Sequence, residues 1–288
     1  MLFTQTLEKL RALRLEGLVE ALEEQRRQTD IVQLDFEDRL ALLVERQWLW
    51  KENRALAVRL KKAQFKINAS LEDLDYRSSR GLKRAQVDQL RASQWVKEHR
   101  NCLLTGPTGS GKTYLGCALG VQACREGYRT LYFYAPKFFR ALEGARADGS
   151  LLQWLKKLAR APLIIIDDLG IASVPGKLYR EFLEVLDDRQ GQGATLITSQ
   201  FPVNQWHEII ADATVADASL DRLVHNAYRI RDRNNTAAEP TAKVSNMIPT
   251  KEKGSELKNT KNPITLAVTV RSATTPTTMR PHTDPISR

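Results

Sequence analysis

The sequence predicts an α/β protein built on a parallel sheet with helices on both faces. Three observations predict it. From residue 101, short and nearly continuous apolar runs alternate with amphipathic stretches, the pattern of strands buried on both sides. One run, Asn101-Cys102-Leu103-Leu104-Thr105, leads directly into a glycine-rich turn and then a helical stretch. Another, Leu163-Ile164-Ile165-Ile166, ends in the paired acids Asp167 and Asp168.

The elements follow in chain order. Residues 1–66 read as helices: Leu7, Leu10, Leu13 (or Arg14), Leu18, Val19 and Leu22 recur at near-helical spacing, and no proline precedes Pro107. A second helical run starts near Asp35 and continues through Leu60. The stretch SLEDLDYRSSRG is rich in turn formers and reads as a linker. Gly81 to His99 is again helical, with Leu82, Val87, Leu90 and Trp95 as its apolar positions. Strands are predicted at 101–105, 130–134, 163–167 and 194–199, each separated from the next by helix. Residues 235–288 hold six of the eleven prolines and eleven threonines, with eight Lys/Arg against four Asp/Glu. Such a composition cannot bury a core and predicts a disordered, weakly basic tail. The expected organisation is a small N-terminal helical domain at 1–75, a nucleotide-binding domain at 76–233 and the tail at 234–288.

Composition excludes several classes. No apolar run approaches the roughly 20 residues of a membrane-spanning helix, and the charged N-terminus lacks the apolar core of an export signal. The three cysteines (Cys102, Cys117, Cys124) have neither disulfide-framework nor CxxC spacing, so a cytoplasmic protein is expected. The net charge of +10 is unevenly placed: residues 46–100 carry fourteen Lys/Arg against six Asp/Glu. Such a block attracts polyanions, nucleic acid first among them. Arg54, Arg59, Lys62 and Lys66 lie within it, the first three at spacings that share roughly one helix face. A solvated helix face with nothing bound has the same composition.

The turn Gly106-Pro107-Thr108-Gly109-Ser110-Gly111-Lys112-Thr113 fits G-x-x-x-x-G-K-[ST] in full and sits between strand and helix, as that phosphate-binding loop requires. Its glycines let successive N–H groups point at phosphates, and the following helix adds its positive end. Lys112 brings a point charge to the β and γ phosphates, and the Thr113 hydroxyl is a magnesium ligand. Asp167 at a strand end would hold Mg²⁺ and Asp168 would orient or activate the attacking water. The ligand implied is ATP with magnesium. At the end of the fourth strand, Ser199 or Gln200 would lie between these two motifs and could sense the γ-phosphate; an ordinary strand-end turn reads the same way. Arg222, in Asp221-Arg222-Leu223-Val224-His225-Asn226, is either a surface arginine or one supplied to a neighbouring subunit's site.

With these motifs placed, the chain resembles the IstB family of ATP-binding helpers of bacterial insertion-sequence transposition, relatives of DnaC-type helicase loaders within the AAA+ ATPases. The resemblance runs from about Leu7 to Ile230 and rests on TLEKLRALRLEGLVEALEEQ, LEDLDYRSSRGL, LLTGPTGSGKTYL, IIIDDLG, LITSQFPVNQWHEII and DASLDRLVHNAYRI. It implies an N-terminal DNA-contacting part and an AAA+ core that assembles into a ring or helical oligomer around duplex DNA. It also implies ATP at subunit boundaries, Arg222 as a finger in trans, and stimulation of a partner transposase. A replicative helicase loader is the alternative, and a transposase frame immediately upstream would discriminate the two. A small-molecule P-loop kinase would leave the basic block without a role.

Overall fold

The computed structural model describes residues 2–76, 82–172, 174–206, 220, 223, 224 and 227–231. Three helices come first: α1 (Leu2–Ala12), α2 (Glu16–Arg27) and α3 (Phe36–Ala63). The predicted N-terminal run is interrupted between α1 and α2, where Arg14 adopts φ 59° and leaves Leu13 exposed. The near-helical spacing therefore spans two helices. Gly17 allows α2 and α3 to touch, because a Cβ there would lie 2.7 Å from that of Trp50. α3 begins where Asp35 caps it, accepting from the Asp38 amide at 2.9 Å. At 28 residues it is about 42 Å long. Its C-terminal half buries Leu56 and Ala63 against Cys124.

The start of the stretch read as a linker packs: Leu71 is buried in the core, and Leu74 and Tyr76 lie against it. The boundary expected near residue 75 therefore follows a segment packed on the sheet's core. The predicted 81–99 helix is two, α4 (Arg84–Arg91) and α5 (Gln94–Lys97), divided at Ser93 with φ 52°.

The remaining elements are β1 (Asn101–Thr105), α6 (Lys112–Arg125), β2 (Thr130–Tyr134), α7 (Ala135–Ala147), α8 (Leu151–Ala159), β3 (Leu163–Leu169), α9 (Gly176–Arg189), β4 (Ala194–Ser199) and β5 (Ala227–Arg231). All five strands are parallel, in the order β2-β3-β4-β1-β5. The fifth strand escaped the sequence reading because Ala-Tyr-Arg-Ile-Arg has too few apolar residues to stand out. Alternation along the strands feeds two cores. Leu103, Ile164, Ile166 and Ile197 meet Phe138, Phe182 and Leu158 on one face. Cys102, Leu104, Ile165 and Leu196 meet Val87, Trp95 and Leu119 on the other. The consequence for function is topological: β4 separates β1 from β3, so strand ends carrying the phosphate loop and the acids flank one carrying Thr198.

The three cysteines are buried and free, and burial pushes Cys102 up to about 12, which makes it chemically inert at neutral pH. Among the described residues no helix is long and apolar enough to cross a membrane. The Thr/Pro-rich segment and Arg222 lie outside the described residues.

Candidate nucleotide site

The loop between β1 and α6 is anchored at its start, where the Gly106 amide donates to Ser199 O at 3.3 Å. Gly109 and Gly111 have φ of 83° and 91°, a backbone region that glycine enters without strain. No atom lies within 4 Å of where a Cβ would stand on either, so the loop is an open cradle of backbone. Lys112 folds back over it, its ammonium donating to Gly106 O and Pro107 O, both at 2.7 Å. Thr108 Oγ1 donates to Gln200 Oε1 at 3.1 Å, which brings Gln200 from the end of β4 to the loop.

Asp167 is fully buried and is held by hydroxyls from three elements. Thr113 Oγ1 lies 3.0 and 3.1 Å from its two oxygens. Thr198 donates to Oδ1 at 2.7 Å, and Tyr132 donates to Oδ2 at 2.7 Å. The buried, hydrogen-bonded Tyr132 hydroxyl is pushed well above the usual phenol range, so it stays a donor. Asp168 departs from the strand: four residues of β3 (Ile166 to Leu169) run against three of β4 (Ile197 to Ser199). That bulge holds Asp168 at φ 60° and turns its side chain toward the loop, with Gln200 and Thr113 around the same cavity. A non-glycine residue in that conformation costs about 1–3 kcal/mol and is characteristic of functional sites. Partial burial, then the neighbouring Asp167, raises the Asp168 carboxyl.

The donor set fits a hard divalent cation. One carboxylate and one hydroxyl converge beside an open phosphate cradle, the arrangement by which magnesium is shared between protein and phosphate oxygens. Among the described residues no group of three or more His, Cys, Asp or Glu forms a protein-only metal site.

Of the four basic residues assigned to DNA, two are engaged elsewhere. Arg59 donates to Cys124 O at 2.8 Å and is largely buried, because the α3 face that carries it packs on α6. Lys66 lies beyond α3, and its ammonium stands 3.6 Å from Asp168 Oδ2 and 3.9 Å from Asp167 Oδ2. Arg54 and Lys62 are exposed, and Arg54 lies over the Trp50 ring at 5.1 Å.

Sequence reasoning missed Thr198, Tyr132 and a second cavity. That cavity, of about 130 Å³, adjoins the loop at Ser110–Lys112 and is walled by Leu74, Leu82, Tyr114 and Ile230. Its rim is fixed by Tyr114, whose hydroxyl bonds the backbone of Ser70 at 3.3 Å. Glu72 fixes the same segment, accepting from Arg91 at 3.1 Å and Arg125 at 3.2 Å. Partial burial would raise the Glu72 carboxyl. The Ser70 hydroxyl, its own amide and Arg125 outweigh that and hold it at about 2. One signal for Thr198 was present, a hydroxyl inside the apolar run of β4.

A five-stranded parallel sheet of this order, with its phosphate loop after β1 and acids at the tip of β3, defines an ATP-binding P-loop protein of the AAA+ type. Residues 8–241 match the family described as IstB-like ATP binding protein, and the chain belongs to that family. It is 44% identical over 230 residues to a Sinorhizobium fredii protein named as an insertion-sequence ATP-binding protein, y4pL, covering 80% of this chain and 94% of that one. It is 42% identical over 203 residues to a Pseudomonas fluorescens protein named as an ATP-binding protein of insertion sequence IS1162, covering 70% and 88%. Among solved structures, DnaI superposes with a TM-score of 0.50 at 25% identity, covering 57% of this chain and 91% of that one.

Proposed function

We propose that this protein is an ATP-dependent DNA-binding helper of transposition. In this reading it assembles on duplex target DNA and stimulates a partner transposase, with ATP hydrolysis as the switch. The observation that carries the nucleotide part is the convergence of Thr113 on buried Asp167 at 3.0 Å, next to a complete phosphate loop. Membership of a family whose relatives are named for insertion sequences supports the transposition part. A cytoplasmic setting accords with this role.

Each residue then has a task. The amides of Gly109 to Lys112 cradle the β-phosphate at the positive end of α6. Lys112 exchanges its two loop carbonyls for the β and γ phosphate oxygens. Thr113 and Asp167 hold magnesium, which when bound neutralises charge developing on the transferred phosphoryl group. Asp168, made more basic by burial and by Asp167, orients the attacking water and takes its proton. Gln200 faces the γ-phosphate position. Leu74, Leu82 and Ile230 clasp the base. Arg222 is supplied to a neighbouring subunit's site, a role taken from the family resemblance alone. Arg54 and Lys62 meet DNA phosphates.

The test is ATP turnover and particle size measured with and without duplex DNA. Turnover with ATP-dependent growth of the particle on DNA is expected. Turnover and size that ignore DNA would remove the assembly reading.

A further inference from the structure

Lys66 has a position that its place in the sequence does not announce. α3 ends at Ala63, and Gln64 turns the chain through a left-handed conformation at φ 55°. The next two residues enter the ATP-binding core. Phe65 is wedged against α6: a Cβ on Gly120 would lie 2.5 Å from its ring. The same ring packs edge-on against Tyr132 at 6.2 Å, and Tyr132 donates to Asp167. Lys66 crosses the face of Tyr134, its ammonium 5.0 Å from the ring centroid, and reaches the oxygens of both acids. A helix of 28 residues is thus joined to the acid pair by three residues of chain.

We propose that Lys66 is a positioning residue for Asp167 and Asp168 and is released from them when the magnesium-loaded nucleotide binds. The inference rests on the ATP and magnesium reading above. Two adjacent carboxylates in a partly buried site require positive charge beside them. Lys66 supplies it from a side chain that is 47% exposed and able to swing into solvent. A divalent cation at Thr113 and Asp167 places positive charge next to the ammonium, and like charges at that range repel. Lys66 therefore gives up the acids when the loaded nucleotide arrives. Phe65 stays wedged, so the residues beyond it, 66–70, loosen.

The test uses the full chain and a non-hydrolysable ATP analogue, AMPPCP, titrated calorimetrically over a range of magnesium concentrations. Lys66→Gln should reach half-maximal uptake with about 1.5- to fivefold less magnesium, the scale of a solvent-screened charge pair. Lys66→Arg should keep the unmodified protein's requirement. Amide exchange across residues 66–70 should speed up in the unmodified protein when magnesium and AMPPCP are added together, and should already be fast in Lys66→Gln. An unchanged magnesium requirement in Lys66→Gln, with 66–70 exchanging alike in all states, would overturn the proposal alone. An unmodified protein that takes up no AMPPCP at any magnesium concentration would overturn the ATP reading and the proposal with it.

Discussion

Thr198 donates its hydroxyl proton to Asp167 at 2.7 Å and accepts the amide proton of Asp168 at 2.8 Å. One side chain from β4 therefore fixes both acids, the first by its carboxylate and the second by its backbone at the bulge. Thr198→Val keeps the shape and removes both bonds. Supporting partners of this kind are typically worth 10–100-fold, so turnover at saturating ATP should fall by about that factor. Leaving the Asp168 amide unpaired should cost about 1–3 kcal/mol in denaturant unfolding. Wild-type turnover in the valine variant would remove Thr198 from the site.

Lys112→Ala takes away the cation that the proposed function sets against the β and γ phosphates. Preorganised charge of this type is worth about 10²–10³-fold in rate, and ATP-stimulated DNA binding should be lost with it. Equilibrium nucleotide binding and DNA retardation with and without ATP check this. Normal ATP stimulation in the variant would refute the role of the loop.

Arg222→Ala should bind ATP normally while hydrolysis falls by about 10³–10⁵, the range of arginine fingers. Mixing it with Asp168→Ala should partly restore turnover. In such a mixture an intact Asp168 in one subunit meets an intact Arg222 from the next. No recovery across mixing ratios would argue against a finger supplied in trans.

The geometry of α3 divides the basic residues. Arg54→Ala and Lys62→Ala should each weaken DNA binding and lower the logarithmic salt slope by about 0.9. Arg59→Ala should leave that slope unchanged and instead reduce stability, because its guanidinium bonds Cys124 O. DNA titrations at several salt concentrations, paired with thermal melts, separate the two outcomes.

Glu72 gives a pH signature. Its folded value of about 2 lies below the ordinary 4.5, so its contribution is present above about pH 4.5. It is lost as the pH falls toward 2. The side chain is 52% exposed, and screening limits the effect to about 1 kcal/mol or less. Glu72→Gln should therefore lower the Tm by at most about 2–4 °C near neutral pH, and the gap should close on acidification. A gap constant from pH 7 to pH 3 would mean that the carboxylate charge contributes nothing.

The phosphate loop was legible because its chemistry is contiguous: eight neighbouring residues, 106–113, hold the glycines, the lysine and the hydroxyl. The acids at the end of β3 were legible because an apolar run that stops at two aspartates is rare. Ser199 or Gln200 was expected between the two motifs; the sheet order sets β4 between β3 and β1, and Gln200 is the one that reaches the loop. The break at Arg14, the division at Ser93 and the fifth strand were not legible, since each depends on packing that local propensity does not report.

What the amino-acid sequence determined by itself was the α/β class, the parallel strands and the identity of the phosphate-binding turn. Backbone conformation and apolar period are local properties, written along the chain in order. Only the tertiary structure decided that Thr198 and Tyr132 hold Asp167, that Leu74 and Ile230 share a cavity, and that Lys66 faces the acids while Arg59 faces a carbonyl. Those relationships join residues far apart in the chain, and the sheet order and the docking of α3 create them. A basic residue looks the same in sequence whether its charge meets solvent, a carboxylate or DNA. The element it packs against makes the difference.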